Sequence, residues 1–216
     1  MQRKTRIAFY LILTVPFFVF GRIIVFLRYG PFVDDFKKCQ QALFNSINSE
    51  GAANLARISE ILVVAEDHRN GYHFGIDFIG IVRAFKVRVV TGRQQGASTI
   101  DQQFVRAITG RRERNIRRKF REQLLASLIR LAFSREDINL AYLRNAYYGE
   151  SYIGEKGVVE LLGRGISECE IVAYIKFPLP SRSSEVHNLK IARRVGHIEK
   201  IRLGEIKLIW MQKFIF

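Results

Sequence analysis

Cysteine is nearly absent from this sequence: Cys39 and Cys169 are its only two, and neither has a CxxC or Cys/His neighbour at ligand spacing. That excludes a zinc-ribbon site and a disulfide-framed fold, leaving at most one bridge between the pair. Internal repeats and long Gly-, Ser- or Pro-rich linkers are absent too, so solenoids and loosely strung domains are excluded. Acidic residues are scarce. Against 35 Lys and Arg stand only 20 Asp and Glu, a formal charge of +15 in 216 residues. With 48% hydrophobic residues the chain is not disordered by composition, and it is long enough for one domain with a sizeable core. A balance so basic points to an anionic partner: nucleic acid, an acidic membrane surface, or a phosphorylated substrate.

The amino terminus narrows that choice. Residues 7–27 carry one charge, Arg22, and as a helix reach about 31 Å, near the thickness of a bilayer core. Arg22 lies close enough to the far end to snorkel, and Pro16 can kink the run. No A-x-A-like cleavage site follows, so an uncleaved anchor is expected over a signal peptide or a buried helix. Arg3, Lys4 and Arg6 precede the run, and by the positive-inside tendency they keep the start in the cytoplasm and send the rest across. Residues 1–29 then form the cytoplasmic tip and anchor and 30–216 the working domain. Nucleic acid becomes an unlikely partner outside the cell, and a phosphorylated lipid a better one.

Beyond the anchor, residues 32–45 read as an amphipathic helix and 46–53 as a polar connection. Residues 77–90 mix apolar stretches with Arg83, Lys86 and Arg88, which suits either a helix lying against lipid or an ordinary surface helix. A loop at 92–98 precedes a helical pattern from Thr99 through Arg106. In 115–133, Ile116, Phe120, Leu124, Leu128 and Leu131 fall at steps of three and four, predicting a helix with one apolar face. Two shorter helical patterns cover 136–148 and 168–177, the second ended by Pro178 and Pro180.

Two segments carry chemistry. In EDHRNGYHFGID, residues 66–77, the histidines His68 and His73 lack the spacing of a helical zinc pair, and no Glu lies between them. A general base fits better. Glu66 follows the apolar run 61–65 and so emerges from a core element, where partial desolvation favours proton abstraction. The second segment, 93–121, holds nine basic and two acidic residues, a net +7. Such density suits a site that receives a diphosphate, or a patch for acidic lipids.

GASTIDQQFVRA at 96–107, RKFRE at 118–122 and SREDINLAYLRNAYYG at 134–149, following EDHRNGYHFGID, resemble in order the four motifs of the peptidoglycan glycosyltransferases. That family comprises the monofunctional cell-wall transglycosylases and the amino-terminal domain of class A penicillin-binding proteins. The resemblance runs from about Ala65 to Ser181, and the chain looks too short for a second, transpeptidase domain, so the monofunctional form is expected. It implies a mainly α-helical, lysozyme-like domain behind a transmembrane helix. The implied enzyme polymerises lipid II with inversion and releases undecaprenyl diphosphate. It works at the outer face of a bacterial inner membrane, beside the glycan strand and other cell-wall synthesis proteins.

By the motif match Glu66 takes the base position. Glu122 is the second family glutamate, holding the donor diphosphate directly or through a divalent cation such as magnesium or manganese; no organic cofactor is implied. Arg106, Arg114 and Lys119 match diphosphate-contacting cations, while Ser98, Gln102 and Gln103 match polar positions lining the cleft. The sequence departs from the family at Asn70 (an aromatic position), Ala97 (glycine), Asp101 (Thr or Ser), Arg106 (lysine) and Arg144 (Asn), and 162–165 is short. Asp101 would oppose phosphate unless paired with an arginine. A divergent, non-catalytic lipid II or cell-wall binding protein is the alternative.

Overall fold

The computed structural model describes residues 3–49, 52–111, 113, 115–182 and 184–208, with the backbone alone at 52–54. Among the described residues there are ten helices: α1 (Arg3–Phe26), α2 (Gly30–Ile47), α3 (Ala52–Glu66), α4 (Phe78–Thr91), α5 (Ile100–Thr109), α6 (Ile116–Ala132), α7 (Arg135–Asn145), α8 (Gly154–Gly163), α9 (Glu168–Lys176) and α10 (Glu185–Arg202). A small antiparallel hairpin, β1 (Tyr147–Gly149) with β2 (Tyr152–Ile153), links α7 to α8.

Side-chain caps set many of the boundaries. Thr99, Asn115, Ser134, Ser167 and Ser184 each accept a hydrogen bond from a backbone N–H of the first turn that follows, and Ser167 forms a full capping box with Glu170. Asp77 does the same for α4, accepting from the Gly80 N–H at 3.0 Å.

The core joins α3, α5, α6, α7 and α9. Leu55, Ile58, Ile61 and Leu62 of α3 share one buried cluster with Ile100 and Phe104 of α5, Ile138 and Leu143 of α7, and Ile171 and Val172 of α9, and α3 packs directly on α7 and α9. Each such side chain contributes about 1.5–3 kcal/mol when fully buried, so this set holds α3, and with it Glu66 at its end, in place. Helix α6 departs from the expected single stripe. Residues 124–130 are buried on every side, whereas Ile116 at the start is 88% exposed and Leu131 is also exposed. The cause is position: the second half runs through the middle of the domain while the first half lies at its edge.

Helix α1 is long and apolar enough to cross a membrane, with mean hydropathy 2.2 over its best window. One face rests on the domain. Tyr10 is buried and its hydroxyl donates to Asp77 Oδ1 at 2.6 Å, Phe17 packs against Phe78 and Phe120, and Gly21 lets Leu128 approach the helix backbone. The opposite face exposes Ile12, Val15, Val19, Ile23 and Phe26. Cys39 and Cys169 are both buried and free, on α2 and α9. Arg144, where the family motif has Asn, joins Ser46 and Ser49 of the α2 end to Glu155 of α8. That stitching is what its long, forked side chain allows and an Asn could not reach.

Candidate active site

Glu66 is the last residue of α3, and its carboxylate lies on a cleft of about 680 Å³ whose walls include His68, Arg83, Ser98, Gln103, Arg106, Lys176, Arg194 and His197. Four of the residues singled out by sequence therefore meet in one place: Glu66, Ser98, Gln103 and Arg106. Gln103 Nε2 donates to Glu66 Oε2 at 3.3 Å, and the Tyr142 hydroxyl orients the amide by donating to Gln103 Oε1 at 2.8 Å.

Arg106, which lines the cleft, also belongs to a cationic cluster organised by Glu122. Glu122 is 2% exposed, on the first half of α6, and three cations surround it. Arg106 donates from Nε to Oε1 at 2.9 Å and from Nη2 to Oε2 at 3.1 Å, Arg118 bonds Oε1 from one turn earlier, and Lys119 Nζ stands 3.6 Å from Oε2. Lys119 Nζ also donates to Ser98 Oγ at 3.0 Å and Gln102 Oε1 at 2.5 Å. Burial pushes the Lys119 ammonium down to about 8, with Arg106 and Arg118 adding to the fall and Glu122 opposing it. Three cations against one carboxylate leave a surplus of positive charge, the arrangement a diphosphate needs.

A divalent cation does not fit at Glu122. Both oxygens already accept from guanidinium groups, and a metal ion would join three positive charges at close range. Gln102 also differs from the expectation that it lines the cleft. It is fully buried, with Nε2 donating to the Gly75 carbonyl at 3.0 Å and Oε1 turned to Lys119, so it ties α5 to the 67–77 segment. Arg114 lies outside the described residues.

Asp101 points away from the anion site, into the core. Its carboxylate, His73 and Asp67 bring ligand-type atoms within 4.8 Å of one another, all three residues buried. His73 Nε2 pairs with Asp67 Oδ1 at 2.9 Å, while His73 Nδ1 and both Asp101 oxygens have no hydrogen-bond partner, Arg130 Nε being 3.9 Å from Oδ1. The donor set, one imidazole and two carboxylates, suits a divalent cation in kind. Burial raises the Asp101 pKa, with His73 and Arg130 opposing; His73 is raised too, burial pulling it down but Asp67 and Asp101 outweighing this. Nearby, Arg69 grips Asp77 with Nε and Nη2 and meets His68 Nε2 from Nη1 at 2.6 Å. Burial and the Arg69 charge hold His68 down to about 4, a neutral acceptor at the cleft edge.

Sequence reasoning missed the wall supplied by α9 and α10: Lys176, Arg194 and His197. Nothing in the basic stretch 190–202 marks Arg194 apart from Arg193 beside it; only the packing of α10 on α3 and α9 selects it.

The sequence model of the Transglycosylase family matches residues 40–160, which hold Glu66, the α5 motif and Glu122. Among curated proteins, penicillin-binding protein 1A of Aquifex aeolicus is 33% identical over 61% of this chain and 20% of its own length. Penicillin-binding protein 1A of Haemophilus influenzae is 31% identical over 73% of this chain and 19% of its own. A protein named as a transglycosylase in Cupriavidus necator is 32% identical over 62% of this chain and 60% of its own. The chain thus spans about a fifth of the two penicillin-binding relatives. With more than half of its residues under the family model and the helical architecture in place, the chain belongs to the transglycosylase family, the peptidoglycan glycosyltransferases of lysozyme-like fold.

Proposed function

We propose that the protein is a membrane-anchored peptidoglycan glycosyltransferase that polymerises lipid II. The observation that carries this reading is the pair in one cleft: a largely buried Glu66 carboxylate, and Arg106 with the surplus positive charge around Glu122. Glu66 takes the proton from an acceptor sugar hydroxyl as that oxygen bonds to the anomeric carbon of the donor. The bond from that carbon to the diphosphate breaks from the opposite face, its electron pair leaving on undecaprenyl diphosphate, so the configuration inverts. Arg106 and Lys119 stabilise the charge that develops there. No step needs a metal ion at Glu122.

The membrane placement is supported by α1, whose outer face is apolar, and by the exposed Val82, Phe85, Val89 and Val90 of α4. Together they support a single anchor in the bacterial inner membrane, with the catalytic domain against its outer face, where both substrates are tethered. Growing glycan and lipid II are then the partners.

Purified protein in detergent, given labelled lipid II and analysed for polymer on a gel, tests the reading. Wild type should polymerise and Glu66→Gln should not, general-base loss costing on the order of 100- to 10,000-fold. More than about a tenth of the wild-type rate in Glu66→Gln would remove Glu66 from the role. A wild type that binds lipid II without polymerising it would favour a non-catalytic binder.

A further inference from the structure

Glu66 is held on both oxygens, but very unequally. On one side Arg194 of α10 donates from Nη2 to Oε1 at 2.6 Å, a charged contact between side chains only 12% and 16% exposed. On the other, the neutral amide of Gln103 reaches Oε2 at 3.3 Å. The same Arg194 nitrogen donates to the Ala65 carbonyl at 2.7 Å. That carbonyl belongs to the last turn of α3, where backbone acceptors lack intrahelical partners and the helix dipole presents its negative end. One nitrogen therefore closes the helix terminus and fixes the side chain of its final residue.

The Arg106–Glu122 pair beside the cleft is built differently. Arg106 meets Glu122 with a two-nitrogen fork, the form of a structural clamp. Arg194 makes a single-nitrogen contact, and its Nε is buried without a partner. A fork fixes both carboxylate oxygens, whereas a one-nitrogen contact anchors one and leaves the other to reach a ligand. Arg194 lies on an element beyond the span matched by the family model, so the matched segment alone does not complete this cleft.

We propose that Arg194 is a positioning residue for Glu66: it anchors Oε1, so that Oε2 is the oxygen that receives the acceptor proton. The weak Gln103 contact at Oε2 is the one an incoming hydroxyl replaces, at little cost, while the charged contact at Oε1 keeps the carboxylate aimed. The assignment rests on Glu66 being the base. It makes α10 part of the working site, holding the Glu66 oxygen that the α5 glutamine does not reach.

Steady-state polymerisation of lipid II by the full-length protein, with thermal unfolding in parallel, tests this. Arg194→Met should lower kcat about 10- to 100-fold, the scale on which a misaimed catalytic group acts, with KM within about threefold of wild type. Arg194→Lys should recover at least about a third of wild-type kcat, because the contact uses only one nitrogen. Arg194→Gln, which keeps a polar tip without the charge, should stay as impaired as Met, and it decides the question if Met does not fold. A kcat within about threefold of wild type in Arg194→Met or Arg194→Gln overturns the positioning role alone. So does an Arg194→Lys protein that folds normally yet is as slow as Arg194→Gln. A wild type that makes no polymer removes the functional reading, and this assignment with it.

Discussion

Arg106 holds both oxygens of Glu122 across 16 positions of sequence, from α5 to α6, and Arg118 and Lys119 crowd the same carboxylate from its own helix. Glu122 is therefore the counter-charge that permits three cations to cluster together, of which Arg106 lines the Glu66 cleft. Glu122→Gln keeps the shape but leaves those cations facing one another. Removing one member of a buried ion cluster costs on the order of 3–5 kcal/mol, which at this chain length lowers Tm by roughly 6–20 °C. Polymerisation should fall further than the loss of folded protein explains, measured at a temperature where the variant remains folded. Near-normal turnover from a less stable protein would confine Glu122 to a scaffolding role.

Lys119 should give the proposed reaction an alkaline limb. Its ammonium titrates near 8, lowered by burial first and by Arg106 and Arg118 next. Below that pH it carries the charge that the proposed diphosphate contact needs; above it the charge is lost. The pH profile of kcat/KM, which reports the free enzyme, should therefore fall as pH rises through about 8. Lys119→Arg, charged throughout, should shift or abolish that limb. A flat profile from pH 7 to 9 in wild type would mean that Lys119 does not contact the donor.

The elements legible in the sequence were those whose own residues decide them. Helix α6 begins at the Asn115 cap and α4 at Asp77, each within a residue of the pattern's start. Glu66 could be found because an apolar run led into it. Helices α8 and α10 could not be read: α8 has Gly154, Gly157 and Gly163 within ten residues, and α10 is charged around much of its circumference, so tertiary packing, not periodicity, stabilises both. The same reason hid Arg194 and misplaced Gln102. Two adjacent glutamines on one helix point in different directions, and only the fold says that Gln103 faces the cleft while Gln102 faces Gly75.

Gly75 is where the 67–77 segment locks onto α5. Its φ is +87°, and a Cβ built there would lie 2.6 Å from the Ala126 carbonyl oxygen. Its own carbonyl accepts from Thr99 Oγ1 at 2.8 Å and Gln102 Nε2 at 3.0 Å. Gly75→Ala combines a left-handed backbone, about 1–3 kcal/mol by itself, with a backbone clash that cannot relax by rotamer change. Chemical denaturation should show a loss of at least about 2 kcal/mol, and a loss under about 0.5 kcal/mol would show that the segment shifts freely.

Asp101 offers the opposite sign. It is buried, both oxygens lack hydrogen bonds, and Arg130 Nε at 3.9 Å is too far for one. Burial raises its pKa against the opposing charges of His73 and Arg130, so the fold binds the Asp101 proton more tightly than the unfolded chain does. A carboxyl raised in this way contributes its full stability below the unfolded pKa and loses it as pH rises through the folded one. Asn has no proton to lose. Asp101→Asn should therefore gain stability relative to wild type as pH rises from 4 to 8, and that relative gain should shrink as pH falls toward the ordinary carboxylate range. Thermal unfolding across pH 4 to 8, with and without EDTA, is the measurement. A Tm for Asp101→Asn that falls relative to wild type as pH rises to 8 would mean that the carboxylate is effectively paired; if EDTA lowers wild-type Tm and leaves the variant unmoved, the partner is a cation shared with Asp67 and His73.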